Sequence, residues 1–418
     1  MSAQRPARIK GFADILSPES AVFTLLETAA RSVFARYGFQ ELRTPLLEYT
    51  ELFARAIGDE TDVVQKEMYS FTDSKGRSCS LRPEATAGVM RAYIDAGLNA
   101  RESVSRLFTL GPMFRHERPQ LGRMRQFHQI NCECLGSSEP LTDAEMILML
   151  LDFLCEIGLN GLALKLNSLG CAECRPRYRA ALTDFLSGLK QGALCPDCAR
   201  RAATNPLRIL DCKVDTCREL TEGAPKFTNY QCSACAEHFD MTLRYLEAAG
   251  TVFELDSRLV RGLDYYCRTT FEVVSGDIGA QSAVAGGGRY DGLVKSLGGP
   301  DVPGVGFACG MERLALLMAA PQTEPPVFFI AVADNSALEQ GFLLARRLRH
   351  AGCRGIVASG GMKGLLRQAD KSGARYCLIL GQDEAALNAV SLKNMDTGQQ
   401  SLVPQVDVLS ILLQQGFL

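Results

Sequence analysis

Phe114-Arg-His-Glu-Arg-Pro-Gln-Leu-Gly-Arg-Met-Arg-Gln-Phe-His-Gln-Ile-Asn-Cys-Glu133 reads as the closed end of a β-hairpin. Residues 107–115 and 125–135 have the apolar content of strands, and Pro119 and Gly122 mark the turn between them. Side chains alternate faces along a strand, so Phe127, Gln129, Asn131 and Glu133 line one side and Ile130, Cys132 and Cys134 the other. Arginines at 115, 118, 123 and 125 crowd the turn. A polar row that ends in an acid, next to arginines, suits an anionic substrate bound beside a cationic group. A merely solvated hairpin gives no reason for that row to be backed by an apolar face.

Outward from the hairpin, residues 18–37 are predicted helical, with Val22, Leu25, Leu26, Ala29, Ala30, Val33 and Phe34 on one stripe and Gly38 as its stop. The run Phe39–Glu48 reads as a strand that Pro45 confines to an edge or bulge. Further strands are predicted at 68–72, 78–81, 269–275 and 281–286, and helices at 84–96, 142–157 and 311–319. Hairpin-style spacing of these strands implies an α+β fold, an antiparallel sheet with helices on one side. Residues 168–245 are cysteine-rich and interrupt this pattern as a small inserted helical domain, leaving 1–167 and 246–322 as the main domain. Pro321–Pro326 reads as a linker. In 326–418, strands at 327–333, 355–358 and 376–380 alternate with helices at 336–350 and 362–372, the pattern of a small α/β domain with a largely parallel sheet. No glycine-rich phosphate loop follows its first strand, so it does not read as a nucleotide site.

The 418 residues are 47% hydrophobic and 22% charged, enough for a sizeable core and against disorder. No apolar run approaches a membrane span, and Met1–Lys10 lacks an apolar secretory core. The expectation is a cytoplasmic protein with no membrane partner, in which 16 cysteines serve as thiols or metal ligands rather than disulfides. Net charge is −2, so any nucleic-acid contact must be local.

Within the insertion the cysteines come in pairs: Cys171/Cys174, Cys195/Cys198, Cys212/Cys217 and Cys232/Cys235. All but Cys212/Cys217 are Cys-x-x-Cys, the spacing of a zinc knuckle. Cys171, Cys174, Cys195 and Cys198 could form one site and Cys212, Cys217, Cys232 and Cys235 another, or the pairs could interleave. His238 is a spare ligand. Reduced structural thiols are the bland alternative, and spacing places structural Zn2+ slightly ahead of them. Cysteines 79, 132, 134, 155, 267, 309, 353 and 377 sit in apolar runs and read as core.

Three more segments complete the pattern. Leu81-Arg-Pro-Glu-Ala-Thr86 puts Glu84 and Thr86 at a helix start, where capping alone would explain them. Arg261-Gly-Leu-Asp-Tyr-Tyr266 follows the insertion. Ala285-Gly-Gly-Gly-Arg-Tyr-Asp-Gly-Leu293 pairs with Gly304-Val-Gly-Phe-Ala-Cys-Gly-Met-Glu-Arg313, glycine clusters that let a ligand approach the backbone. Together these resemble the signature motifs of class II aminoacyl-tRNA synthetases: the strand around Pro45 as motif 1, Phe114–Glu133 as motif 2 and Gly304–Leu317 as motif 3. The Arg261 and Ala285 segments resemble the histidine-specific motifs of the histidyl-tRNA synthetase family.

That resemblance covers nearly the whole chain, with the insertion its poorest match. It implies a six-to-seven-stranded antiparallel class II catalytic sheet, an anticodon-binding domain at 326–418 and a homodimer. The implied reaction is activation of L-histidine by ATP with Mg2+ and transfer to the 3′ end of tRNA(His), releasing AMP and diphosphate. Arg115 and Arg261 would contact the α-phosphate from opposite sides and act in catalysis, and Arg313 the γ-phosphate. Glu84, Thr86 and Gln129 would hold the α-amino group. Glu133 and Tyr266 would serve the two imidazole nitrogens, with Tyr265 and Tyr290 completing the wall. Arg118, Gln120, Arg123 and Arg125 would meet the tRNA acceptor end. Ala85 stands where the family commonly has glycine, and is tolerated unless that position needs positive φ. One rival is a histidine-binding regulatory paralogue of ATP phosphoribosyltransferase, which should lack the arginines and the C-terminal domain. The other is a zinc-ribbon nucleic-acid-binding module on an inert scaffold.

Overall fold

The computed structural model describes residues 6–58, 61–190, 192–277, 283–321 and 325–414. The chain divides into two compact units, Met1–Pro321 and Gln322–Leu418. In the first, the strands are β1 (Gln40–Glu41), β2 (Leu47–Tyr49), β3 (Ser70–Thr72), β4 (Ser78–Leu81), β5 (Ser105–Phe114), β6 (Gln126–Leu135), β7 (Ala163–Ser168), β8 (Glu254–Leu255), β9 (Cys267–Val274), β10 (Ala283–Arg289) and β11 (Gly304–Gly310). An eight-stranded sheet runs β1-β5-β6-β11-β10-β9-β7-β8, and β2-β4-β3 form a separate small sheet. All pairs from β5 to β7 are antiparallel, while the short edges β1 and β8 pair parallel.

One face of this sheet makes the core. Phe108, Ile130, Cys132, Cys134, Val305 and Cys309 pack against Leu26, Val33 and Phe34 of helix Glu19–Arg36 and Ile147, Leu150 and Phe153 of helix Pro140–Glu156. Burying each large apolar side chain there contributes about 1.5–3 kcal/mol. The cover leaves the opposite face of β6 free for Gln129, Asn131 and Glu133.

The run read as one strand at 39–48 is two short pieces in different sheets, with Pro45 between them. Proline has no N–H for a ladder and restricts the residue before it, so the chain changes sheets there. Strand β11, read from the sequence only as a glycine cluster, joins the sheet because its glycines are steric requirements. A Cβ on Gly304 would overlap the Tyr290 ring, and one on Gly287 would overlap the Gly306 carbonyl. Ala85 has φ −97°, so the alanine carries no conformational penalty.

The insertion contains helices Cys174–Ser187, Pro196–Thr204, Asp215–Leu220 and Ser233–Ala248. The last runs beyond residue 245, and its His238 contacts Asp143 of helix Pro140–Glu156 at 2.5 Å.

The second unit has β12 (Phe328–Val332), β13 (Gly355–Ser359), β14 (Tyr376–Leu380), β15 (Ala389–Asn394) and β16 (Gln400–Pro404), in the order β13-β12-β14-β15-β16. The first three are parallel, as the alternation predicts, and the last two extend the sheet antiparallel. The Pro321–Pro326 linker and the strand start at 281 lie partly outside the described residues. Among the described residues no helix is long and apolar enough to cross a membrane.

Candidate active site

A cavity of about 570 Å³ opens on the uncovered face of the first unit's sheet. Phe127, Gln129, Asn131 and Glu133 all line it, so the alternation read from β6 sets one wall. Gln129 Oε1 and Asn131 Oδ1 are buried with no hydrogen-bond partner. Buried acceptors left unpaired are costly, which fits a site completed by a ligand with N–H or O–H donors.

Arginines contribute much of the lining. Arg115 donates from Nε to the Pro83 carbonyl at 2.8 Å and lies 5.4 Å from the centre of the Phe127 ring. Arg313 donates from Nη1 to the Ala283 carbonyl at 2.7 Å and from Nε to the Gly122 carbonyl at 3.2 Å. Burial lowers the Arg313 pKa, and Arg123 and Arg115 lower it further, against Glu117, which raises it. Cations that disfavour one another's charge are set for an anion carrying several charges. Arg261, also in the lining, donates from Nη1 to Glu272 at 2.7 Å, while its buried Nε has no hydrogen-bond partner. A Cβ on Gly286 would overlap the Arg261 guanidinium, so that glycine makes its seat.

The lining also holds Tyr265 and Tyr266, whose ring centres are 4.6 Å apart, and Glu133; Arg261 lies 5.8 Å from the centre of the Tyr266 ring. Glu133 accepts hydrogen bonds from Thr86 Oγ1 at 2.7 Å and from the Tyr290 hydroxyl. Burial pushes its carboxyl up to about 8, and nearby Glu84 adds to this, while the two hydroxyl donors pull it down. Because the folded value lies above the ordinary one, this group favours the folded state fully below its unfolded pKa and loses that contribution as pH rises through about 8. Gly306 faces Glu133 in the β6–β11 register, and a Cβ there would overlap Oε2.

Not every expected residue lines the cavity. Tyr290 does not line the cavity; it is 2% exposed and holds Glu133 from behind. Glu84 does cap the helix start: its two oxygens accept from the amides of Thr86 (2.7 Å) and Ala87 (2.8 Å), although it also faces the cavity. The loop arginines separate. Arg118 and Gln120 are exposed, Arg123 lines the cavity and pairs with Glu117, and Arg125 donates to the Glu117 carbonyl at 3.1 Å.

The insertion cysteines gather as Cys171, Cys174, Cys232 and Cys235 in one cluster and Cys195, Cys198, Cys212 and Cys217 in another. Of the groupings the spacing leaves open, the chain-order one is not found; the pairs are nested, the first with the last and the two middle pairs together. His238 is in neither cluster; it contacts Asp143.

Acids and insertion residues that the sequence did not single out also line the cavity: Glu117, Glu272, Glu312, Arg208 and Lys213. Glu272 had a signal, as a lone carboxylate between Phe271 and Val273 on a strand. Arg208 and Lys213 had none, since only tertiary folding brings them over β6.

The sequence profile of the histidyl-tRNA synthetase family matches residues 11–314, and that of the anticodon binding domain matches 327–415. The histidine–tRNA ligase of Nitratidesulfovibrio vulgaris (strain DP4) is 61% identical over 411 residues, covering 98% of this chain and 99% of its own. That of Oleidesulfovibrio alaskensis is 62% identical over 401 residues, covering 95% and 96%. The crystal structure of apo S. aureus histidyl-tRNA synthetase superposes with a TM-score of 0.80 at 30% identity, covering 98% of this chain and 100% of that one.

Proposed function

The chain belongs to the histidyl-tRNA synthetase family and acts as a histidine–tRNA ligase, and from that premise we propose how its residues divide the work. Adenylation brings the histidine carboxylate onto the α-phosphorus of ATP, which enters with Mg2+ as substrate, and diphosphate leaves. Two anions meet, so fixed cations must offset the charge that gathers in the transition state. Arg115 and Arg261 take the α-phosphate from opposite sides, and Arg313 takes the γ-phosphate; a planar fork matches phosphate oxygens better than an ammonium does. The observation that carries this reading is a single cavity whose lining holds Arg115, Arg261 and Arg313 together with Glu133, Tyr265 and Tyr266.

Glu84, Thr86 and Gln129 hold the α-amino group. Glu133 accepts the imidazole N–H, the Tyr266 hydroxyl serves the other nitrogen, and Tyr265 closes the wall. Tyr290 orients Glu133 rather than touching the substrate. A pocket that hydrogen-bonds its substrate rejects analogues lacking the group by about 10⁴–10⁵-fold, so no editing domain is required. The adenylate is then attacked by the terminal ribose hydroxyl of tRNA(His). Arg118 and Gln120, whose exposure supports the reading, meet the acceptor end together with Arg123, and the second unit reads the anticodon. The protein works as a homodimer in the cytoplasm, and the insertion thiols are ligands of structural Zn2+.

Glu133→Ala is expected to weaken histidine use by about 1–3 kcal/mol in kcat/KM, the cost of an unpaired polar contact. An ionised Glu133 is the acceptor, so kcat/KM for histidine should climb as pH rises towards about 8, and Glu133→Gln should flatten that limb. A pH profile shared by wild type and Glu133→Gln would remove Glu133 from imidazole recognition. The whole reading is tested by histidine-dependent ATP–pyrophosphate exchange. Exchange is expected. Histidine binding without exchange would favour the regulatory paralogue.

A further inference from the structure

We infer that the insertion carries two mononuclear tetrathiolate Zn2+ ions, one on Cys171, Cys174, Cys232 and Cys235 and one on Cys195, Cys198, Cys212 and Cys217, and that these ions lock the loop Arg258–Tyr266 in place over the active site. The coupling half rests on the reading of Tyr265 and Tyr266 as the histidine wall; the metal half does not.

The sulfur geometry comes first. In each cluster the ligand atoms all lie within 4.8 Å of one another. Sγ–Sγ separations are 3.6 Å for Cys171–Cys174, 4.0 Å for Cys171–Cys232 and 3.9 Å for Cys195–Cys212. A tetrahedron with Zn–S of about 2.3 Å has edges of about 3.8 Å. The same separations are far too long for a disulfide bond of about 2.05 Å, and a multi-iron cluster would hold its sulfurs farther apart. Backbone amides already point at the thiols: Cys232 N–H at Cys174 Sγ and Cys195 N–H at Cys217 Sγ, both at 3.2 Å. Such donors stabilise thiolates, the form that binds metal. Between the ligands lie short helices and turns with a small buried core, the kind of segment that a metal must staple.

The segments between the ligands are the ones that hold the histidine loop. Arg175, directly after Cys174, donates to the carbonyls of Asp264 (3.3 Å) and Tyr266. Between Cys198 and Cys212, Asn205 donates to the Asp264 carboxylate at 2.8 Å and Arg208 to the Arg261 carbonyl at 3.0 Å. Arg258 in turn donates to the Leu210 carbonyl at 3.2 Å and, just past Cys217, to the Thr221 carbonyl at 2.9 Å. The loop bearing Arg261, Tyr265 and Tyr266 therefore takes its anchors from both clusters. Losing an ion frees those anchors without removing any group that touches substrate.

Elemental analysis of protein purified under reducing, chelator-free conditions should find about two zinc per chain, one for each tetrathiolate set. A value near zero, or iron in place of zinc, overturns the assignment. The double variant Cys171→Ser/Cys232→Ser tests the pairing. With the clusters proposed it touches one site and should keep about one zinc per chain; with grouping in chain order it would touch both and keep none. Cobalt substitution of that variant reads the remaining site by its thiolate-to-cobalt absorption, independently of activity and of the fold of the lost site. For the coupling, Cys195→Ser/Cys212→Ser should raise KM for histidine by about tenfold, the scale of a displaced positioning contact, and lower kcat as well, because Arg261 rides on the same loop. If that variant does not fold, metal stripped from wild type with a thiol-directed mercurial and restored by reductant and Zn2+ should show the same shift and its reversal. An unchanged histidine KM in metal-depleted, folded protein overturns the coupling and leaves the metal assignment standing on the analysis alone.

Discussion

Replacement of Arg261 by alanine is expected to slow histidine-dependent ATP–pyrophosphate exchange by about 10²–10³-fold, the loss of one preorganised transition-state donor, or about 2.7–4 kcal/mol. The guanidinium is held on one side by Glu272 at 2.7 Å, and its buried Nε has no hydrogen-bond partner. That donor is already desolvated and costs nothing further to aim when charge develops on the α-phosphate. Arg261→Lys should restore only part of the rate, because an ammonium keeps the charge but loses the fork. Gly286→Ala gives an independent check. Its methyl would push the guanidinium from its seat without removing the charge, and the exchange rate should fall in the same direction. An exchange rate in Arg261→Ala equal to wild type would refute the assignment of Arg261 to catalysis.

Asp143→Ala is expected to destabilise the first unit by about 3–5 kcal/mol, the cost of breaking a fully buried ion pair from one side. Asp143 and Arg289 are both 0% exposed. The carboxylate accepts from Arg289 Nε at 2.9 Å, from Thr269 Oγ1 at 2.8 Å and from His238 Nε2 at 2.5 Å. The network ties helix Pro140–Glu156, the last insertion helix and β10 together. Without the acid, Arg289 is left as a buried charge beside one other acid among the described residues, Asp291 at 3.2 Å. Replacing both Asp143 and Arg289 by apolar residues of similar volume should cost less than removing Asp143 alone, since no charge is then stranded. The pair also predicts an acid limb. Burial works against ionisation of Asp143, but His238 and Arg289 outweigh it and hold the pKa below the ordinary value. A depressed carboxylate stabilises the fold above its unfolded pKa of about 3.9 and loses that contribution as pH falls through its lower folded value. Denaturant midpoints should therefore drop below about pH 4 in wild type and much less in Asp143→Asn. A single-variant midpoint close to wild type would show that the network carries little stability.

Much of this site was legible in the chain itself. Alternation along β6 is a local property, so Gln129, Asn131 and Glu133 could be assigned to one wall and Ile130, Cys132 and Cys134 to the core without a structure. Arg115, Arg261 and Arg313 sit in short motifs whose residue types and order resemble one family, and the family matches place the chain there. Periodicity likewise marked the long helices and the parallel strands of the second unit.

What lay beyond the sequence depends on contacts between distant segments. No spacing rule tells that Cys171 and Cys174 meet Cys232 and Cys235 rather than Cys195 and Cys198, because the insertion folds back so that its ends close one cluster and its middle the other. From the sequence, the glycines of β10 and β11 read as clusters open to ligand approach, with a strand predicted only over 281–286. They are strand residues here because Arg261, Tyr290 and Glu133 occupy the space a Cβ would take. That the Tyr290 hydroxyl donates to Glu133, far from it in the chain, follows from no local pattern. Arg208 and Lys213 reach the cavity only through the fold of the insertion. The sequence by itself determined the chemistry, because residue type and short-range alternation are local. Tertiary structure decided which groups share a site and which merely support one, because that depends on side-chain contacts between segments far apart in the chain.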